Sequence, residues 1–324
     1  MNVRRLIPVA AVTGAVLLGL TACSSPDGSA HKNGGKLDVV ASFYPMQFLA
    51  ERIGGEHVEV TSLTKPGVEP HDLELTYRQI GGLSDADLIL YLKGIQPAVD
   101  EAVKLSEAPH TLDATTLTTL EDHGTEVGGH DHGGDEHGHD EHAHEHEGDG
   151  AGADPHIWLD PVRYAEVAEG VGKSLEKTDP DHAADYRENT DALVAELGAL
   201  DTAYRTGLKN TETRTFITTH SAFGYLAERY GLTQEGIAGI DPEAEPSPAR
   251  ISKLHSIAEK EKVTTVFFET LASDKTARTV ARDTGLRTDV LDPLEGITEA
   301  SEGDDYIEVM KSNLAALRTA LGAK

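Results

Sequence analysis

The sequence holds a single cysteine, Cys23, in 324 residues. No disulfide can close within the chain, and no metal site can be built from several thiolates. Basic residues are scarce. The 28 Lys and Arg stand against 56 Asp and Glu, giving a formal net charge of −28 at pH 7. Phosphate binding needs a basic face, so no nucleic-acid partner is expected, and a cationic ligand fits the sign of the charge better. No His-Glu-x-x-His pair is present, which removes the commonest helical signature of a zinc protease. The apolar stretch at residues 6–20 is shorter than the ~20 residues a spanning helix needs.

That stretch follows Arg4 and Arg5 and ends in Leu20-Thr21-Ala22-Cys23. A short apolar segment behind a basic start, closed by small residues before a cysteine, reads as the leader of a bacterial lipoprotein over residues 1–22. Cys23 is then the lipidation site. Each buried methylene contributes about 0.8 kcal/mol, so two or three acyl chains on one residue anchor firmly. Residues 23–36 are polar and rich in Gly and Ser and read as a flexible tether. The expected location is the extracytoplasmic face of the cell membrane.

Beyond the tether, strand and helix patterns alternate. Strands are expected at 37–43, 57–63 and 88–92, with helices at 44–53 and 76–83. After a further helix at 162–175, residues 181–208 keep apolar residues at helical spacing through Tyr186, Leu193, Leu197, Leu200 and Tyr204. The alternation then resumes, with strands at 215–219, 263–268 and 287–291 and helices at 222–230, 247–260, 274–284 and 304–321. Such alternation points to α/β architecture with parallel sheets. The expected organisation is one lobe over 37–180, a long linking helix over 181–209 and a second lobe over 210–324.

Residues 121–150 interrupt the first lobe. In the run HDHGGDEHGHDEHAHEHE, seven of eighteen side chains are histidine and seven are carboxylates. Nothing there can form a core, so a disordered surface insertion is expected. His130, His132, His137, His139, His142, His144 and His146 are candidate ligands for weakly held metal ions. Without fixed geometry, the entropy of ordering reduces their affinity.

Eight histidines lie outside the insertion, at 31, 57, 71, 110, 156, 182, 220 and 255. Three stand out by position: His71 in Pro-His-Asp after a strand, His156 in Asp-Pro-His-Ile-Trp-Leu-Asp-Pro, and His220 at the end of a strand. In open α/β sheets ligands bind beyond the carboxyl ends of the strands. Three imidazoles from two lobes, joined by a carboxylate, make a site suited to Zn²⁺. His57, His110, His182 and His255 read as ordinary surface residues.

Pro70-His71-Asp72, the 154–161 segment DPHIWLDP, the 219–225 segment THSAFGY and the 291–295 segment LDPLE together resemble the zinc-specific substrate-binding lipoproteins of bacterial ABC transporters. The likeness covers residues 37 to 324. It implies two α/β lobes bridged by one long helix, with metal in the cleft between them and an acidic His-rich insertion between the first two ligand histidines. It implies His71, His156 and His220 as ligands. Related manganese binders tend to carry a carboxylate at the third position, and a nitrogen donor there favours zinc. The fourth ligand is implied near the last strand, where both Asp292 and Glu295 lie. Glu295 is preferred, because Asp292 precedes Pro293 and is held extended, while Glu295 is longer and precedes Gly296.

The function these readings imply is capture of Zn²⁺ by a monomer and its delivery to an ABC permease driven by a cytoplasmic ATPase, with no catalytic step. A surface metal store or adhesin, with the insertion as its main site, is the alternative class. A manganese-binding homologue or a zinc hydrolase fits less well, since three histidines and a carboxylate would close the shell.

Overall fold

A computed structural model describes residues 35–123 and 153–324. The first lobe runs β1 (Leu37–Ala41), α1 (Tyr44–Gly54), β2 (Val58–Ser62), α2 (Tyr77–Asp85), β3 (Leu88–Tyr91), α3 (Pro97–Leu105) and β4 (Thr111–Asp113). Helices α4 (Pro161–Thr178) and α5 (Ala183–Gly207) follow. The second lobe runs β5 (Thr215–Thr218), α6 (Gly224–Arg229), β6 (Thr233–Gly236), α7 (Pro248–Glu261), β7 (Thr265–Phe268), α8 (Lys275–Thr284), β8 (Arg287–Val290) and α9 (Tyr306–Ala320).

Both sheets are parallel, in the orders β2-β1-β3-β4 and β6-β5-β7-β8. The chain leaves the first strand of each sheet to one side and returns to the other. A crevice therefore opens beyond the carboxyl ends of β1 and β5. The central strands, such as Leu-Ile-Leu-Tyr in β3 and Thr-Phe-Ile-Thr in β5, are buried on both faces, as helices on both sides require.

The sequence pattern finds most of these elements and misses α3, β4 and β6. The two strands are sheet edges, where a polar sequence such as Thr-Gln-Glu-Gly is tolerated and leaves no apolar alternation to read. Helix starts are set by their caps. Thr76 and Gln79 form a reciprocal capping box at α2. Asp160 and Ser247 accept backbone N–H groups at α4 and α7, each with proline at the first helical position.

Helix α5 is 25 residues long, about 37 Å at 1.5 Å per residue. Its buried residues, Tyr186, Thr190, Leu193, Leu197, Leu200 and Tyr204, recur every three or four positions and form one stripe. That stripe packs on α1 and α4 of one lobe and on α9 of the other. One apolar core passes through both lobes by way of α5, joining Phe43 and Leu90 to Phe216 and Leu291. His57 and His182, read from sequence as ordinary surface residues, instead stack at 3.9 Å and bond to Asp185 and Asp179, tying the start of β2 to the start of α5.

The segment before α4 is clamped between the lobes. Trp158 is fully buried, and its indole N–H donates to the Pro293 carbonyl at 2.7 Å. Tyr306 donates to the Trp158 carbonyl at 2.6 Å, and Arg229 forks onto both oxygens of Asp160. Replacing Trp158 with Phe leaves the Pro293 carbonyl unpaired in a dry environment. We expect a loss of about 1–3 kcal/mol of stability, read as a lower denaturant midpoint. An unchanged midpoint would mean that water replaces the indole.

Candidate metal centre

Each sequence-selected histidine sits in a connection between regular elements. His71 lies in the loop between β2 and α2, His156 just before the 3₁₀ turn Ile157–Leu159, and His220 two residues beyond β5. Glu295 lies in the loop after β8. The fold brings these four donors together, with their ligand atoms within 4.8 Å of one another.

The geometry is specific. The Nε2 atoms of His71, His156 and His220 each lie 3.3 Å from one oxygen, Oε1 of Glu295. A tetrahedron with donors about 2.0 Å from its centre has edges of about 3.3 Å, so these spacings match four donors around one Zn²⁺. His156 Nδ1 contacts Asp154 Oδ1 at 2.8 Å, and His220 Nδ1 contacts Glu269 Oε1 at 2.7 Å. In neutral rings those contacts hold the proton on Nδ1 and turn the Nε2 lone pair inward. Lone pairs then face a carboxylate oxygen, an arrangement that a metal ion or a proton relieves. His156 Nε2, His220 Nε2 and Glu295 Oε2 are buried and have no hydrogen-bond partner among the described residues, which fits atoms that serve as metal ligands.

The electrostatics agree. Burial alone would raise the Glu295 pKa, but the facing imidazoles, His220 first, hold it well below the usual carboxylate range. Burial likewise works to lower the His220 and His156 values. Glu269 and Glu295 overcome it at His220, and Asp154 and Glu295 at His156, so both are raised. Glu69, whose Oε1 accepts the His71 backbone N–H, is pushed up to about 8 by burial and then by the Glu295 charge. The Glu295 carboxylate and the imidazoles facing it thus stabilise each other's charged forms, as a site built for a cation requires.

Access is one-sided. The His71 side chain is 11 % exposed, whereas His156, His220 and Glu295 are at 0 %. Asp292, the alternative fourth donor, stands outside the group of four. Its Oδ1 accepts the Leu294 N–H at 2.8 Å, and its Oδ2 accepts the Thr270 hydroxyl at 3.1 Å. It builds the turn that presents Glu295. Asp154 and Glu269 were not singled out from sequence. Each had a signal: Asp154 opens the DPHIWLDP segment, and Glu269 directly follows β7 at the same sheet edge as His220. His110 and His255 lie away from this group. Cys23 and the seven insertion histidines at 130, 132, 137, 139, 142, 144 and 146 lie outside the described residues.

Residues 39–320 match the model of the family described as zinc-uptake complex component A, periplasmic. The chain is 39 % identical over 321 residues to the high-affinity zinc uptake system protein ZnuA of Bacillus subtilis, covering 97 % of both chains. It is 36 % identical over 313 residues to the zinc-binding lipoprotein AdcA of Streptococcus pneumoniae, spanning 93 % of this chain but only 58 % of that longer one. Among solved structures, the zinc-bound ZnuA-like domain of that AdcA superposes with a TM-score of 0.71 at 33 % identity, over 89 % of this chain and 99 % of that one. The chain therefore belongs to the family of periplasmic zinc-uptake components.

Proposed function

We propose that this protein captures one Zn²⁺ outside the cytoplasm, through His71, His156, His220 and Glu295, and hands it to an ABC permease for uptake. The observation that carries the reading is the set of three equal 3.3 Å spacings from imidazole nitrogens to one carboxylate oxygen. Three nitrogen donors and one oxygen favour Zn²⁺ over the harder Mn²⁺. Four protein donors close a tetrahedral shell, and no position is left for the activated water a hydrolase needs. The protein is a binder, not an enzyme. All four donors come from one chain, so a monomer suffices.

Titration of the full chain against a competing chelator tests this. One tight equivalent, with weaker ones above it, is expected. Weak equivalents alone would favour the metal-store reading. In that weak class we place the histidines at 130–146, as an auxiliary reservoir.

Binding is also expected to release protons. The carboxylates beside His156 and His220 raise both imidazoles above their ordinary range, so protons compete with zinc for the ring nitrogens. Affinity therefore falls as pH drops through those raised values, about tenfold per pH unit for each proton displaced. A pH-independent Kd between pH 5 and 8 would contradict the ligand set.

Anchorage rests on Cys23. Cys23→Ala is expected to abolish lipidation and release the protein from membranes, read by fractionation. Unchanged membrane retention with normal leader cleavage would rule out the anchor.

A further inference from the structure

A second group of donors stands at the neck of the insertion. The backbone N–H of Asp154 donates to the Glu121 carbonyl at 2.9 Å, and the Tyr225 hydroxyl donates to the Asp154 carbonyl at 2.7 Å. These bonds bring the two ends of the insertion together on α6. Just inside that neck, His123 Nε2 lies 2.9 Å from Glu228 Oε2 and 3.9 Å from Glu121 Oε2. Arg163 pairs with the other oxygen of Glu121, leaving Oε2 turned toward His123.

The His123 ring hydrogen-bonds through Nε2, at 2.9 Å from Glu228 Oε2, while its buried Nδ1 makes no hydrogen bond among the described residues. Its Nδ1 faces Asp154 Oδ2 at 3.4 Å, while Oδ1 of the same carboxylate supports His156 at 2.8 Å. Asp154 is fully buried, and its Oδ2 has no hydrogen-bond partner among the described residues. Asp154 thus stands between two imidazoles, hydrogen-bonded to His156 through Oδ1 and close to His123 through Oδ2. Gly224 makes this possible. A Cβ there would collide with the Cβ of His123 and come within 2.8 Å of Asp154 Oδ2. The Tyr225 ring closes one side, 4.4 Å from the imidazole and nearly perpendicular. The other side opens on a cavity of ≈ 420 Å³, also lined by Asp122 and Gln234.

We propose that Glu121, His123 and Glu228 form a second divalent-cation site, distinct from the transport centre and sharing Asp154 with it. One nitrogen and two carboxylate oxygens suit Zn²⁺ and leave a fourth position to water. The Glu228 side chain is 55 % exposed and Glu121 36 %. The site therefore exchanges its ion readily and binds more weakly than the buried centre. It offers fixed geometry where the histidine run begins.

Crystals of the full chain grown with excess zinc test this by anomalous scattering at the zinc edge. Two peaks are expected within the ordered chain: one among His71, His156 and His220, and one within about 2.3 Å of His123 Nε2 and Glu228 Oε2. In His123→Ala the second peak disappears and the first remains, which also reports that the variant is folded. In solution, equilibrium dialysis against micromolar zinc should give one equivalent fewer for the H123A/E228Q double variant than for the wild type. A peak at the centre with none at His123, or an unchanged equivalent count, overturns this site alone. Absence of the central peak would instead overturn the function proposed above.

Discussion

Zinc affinity at the centre is expected to fall by about 10³-fold when His156 or His220 is replaced by alanine, and by less when His71 is. Zinc sites built into proteins contribute roughly 10–16 kcal/mol of binding. Shared over four donors, that is about 2.5–4 kcal/mol each, or roughly 10²–10³-fold in Kd. His156 and His220 stand at the upper end for a structural reason. Each is fully buried against its own carboxylate, Asp154 or Glu269. Removing the ring strands that buried charge as well as losing a ligand. His71 has no such burial, and water entering from its exposed side can take its place. Asp154→Asn and Glu269→Gln keep every donor and disturb only ring orientation, so losses of about 10–100-fold are expected. Chelator competition with a single tight equivalent measures all five variants. A Kd for His156→Ala within tenfold of the wild type would remove it from the ligand set.

The three histidines were legible because each occupies a position with a physical meaning in an α/β lobe: the end of a strand, or a Pro-flanked loop at the sheet edge. The long helix was legible because its apolar stripe keeps one period over 25 residues. What the sequence could not supply was convergence. Glu269 and His220 meet only because β5 and β7 are neighbours, a pairing made between segments far apart in the chain. The His57–His182 stack has the same origin, joining the edge of a sheet to the foot of α5. The pair His123 and Glu228 is hidden in the sequence for a further reason. His123 stands at the edge of a low-complexity run, and composition hides a single ordered residue there.

The choice between the two carboxylates after β8 is expected to resolve in favour of Glu295. Glu295→Ala removes the one anionic donor and leaves a dication facing three neutral rings, so affinity should fall by about 10²–10³-fold. Glu295→Gln keeps an oxygen at the same position but loses its charge, so its loss should be smaller. Asp292→Ala acts differently. Asp292 holds the Leu294 N–H, and Leu294 adopts φ 59, a left-handed conformation costing a non-glycine residue about 1–2 kcal/mol. Asn313 fixes the same turn from α9, accepting the Asp292 N–H at 2.9 Å and donating to its carbonyl at 2.7 Å. Without the Asp292 carboxylate the strained turn relaxes, and Glu295 is no longer aimed at the three imidazoles. The expected result is a stability loss of about 1–3 kcal/mol and a drop in affinity of roughly tenfold, smaller than for Glu295→Ala. Measuring the denaturant midpoint beside the zinc Kd separates the two roles. A larger affinity loss for Asp292→Ala than for Glu295→Ala, with stability unchanged, would make Asp292 the ligand. An unaffected Kd in Glu295→Ala would give the fourth position to water.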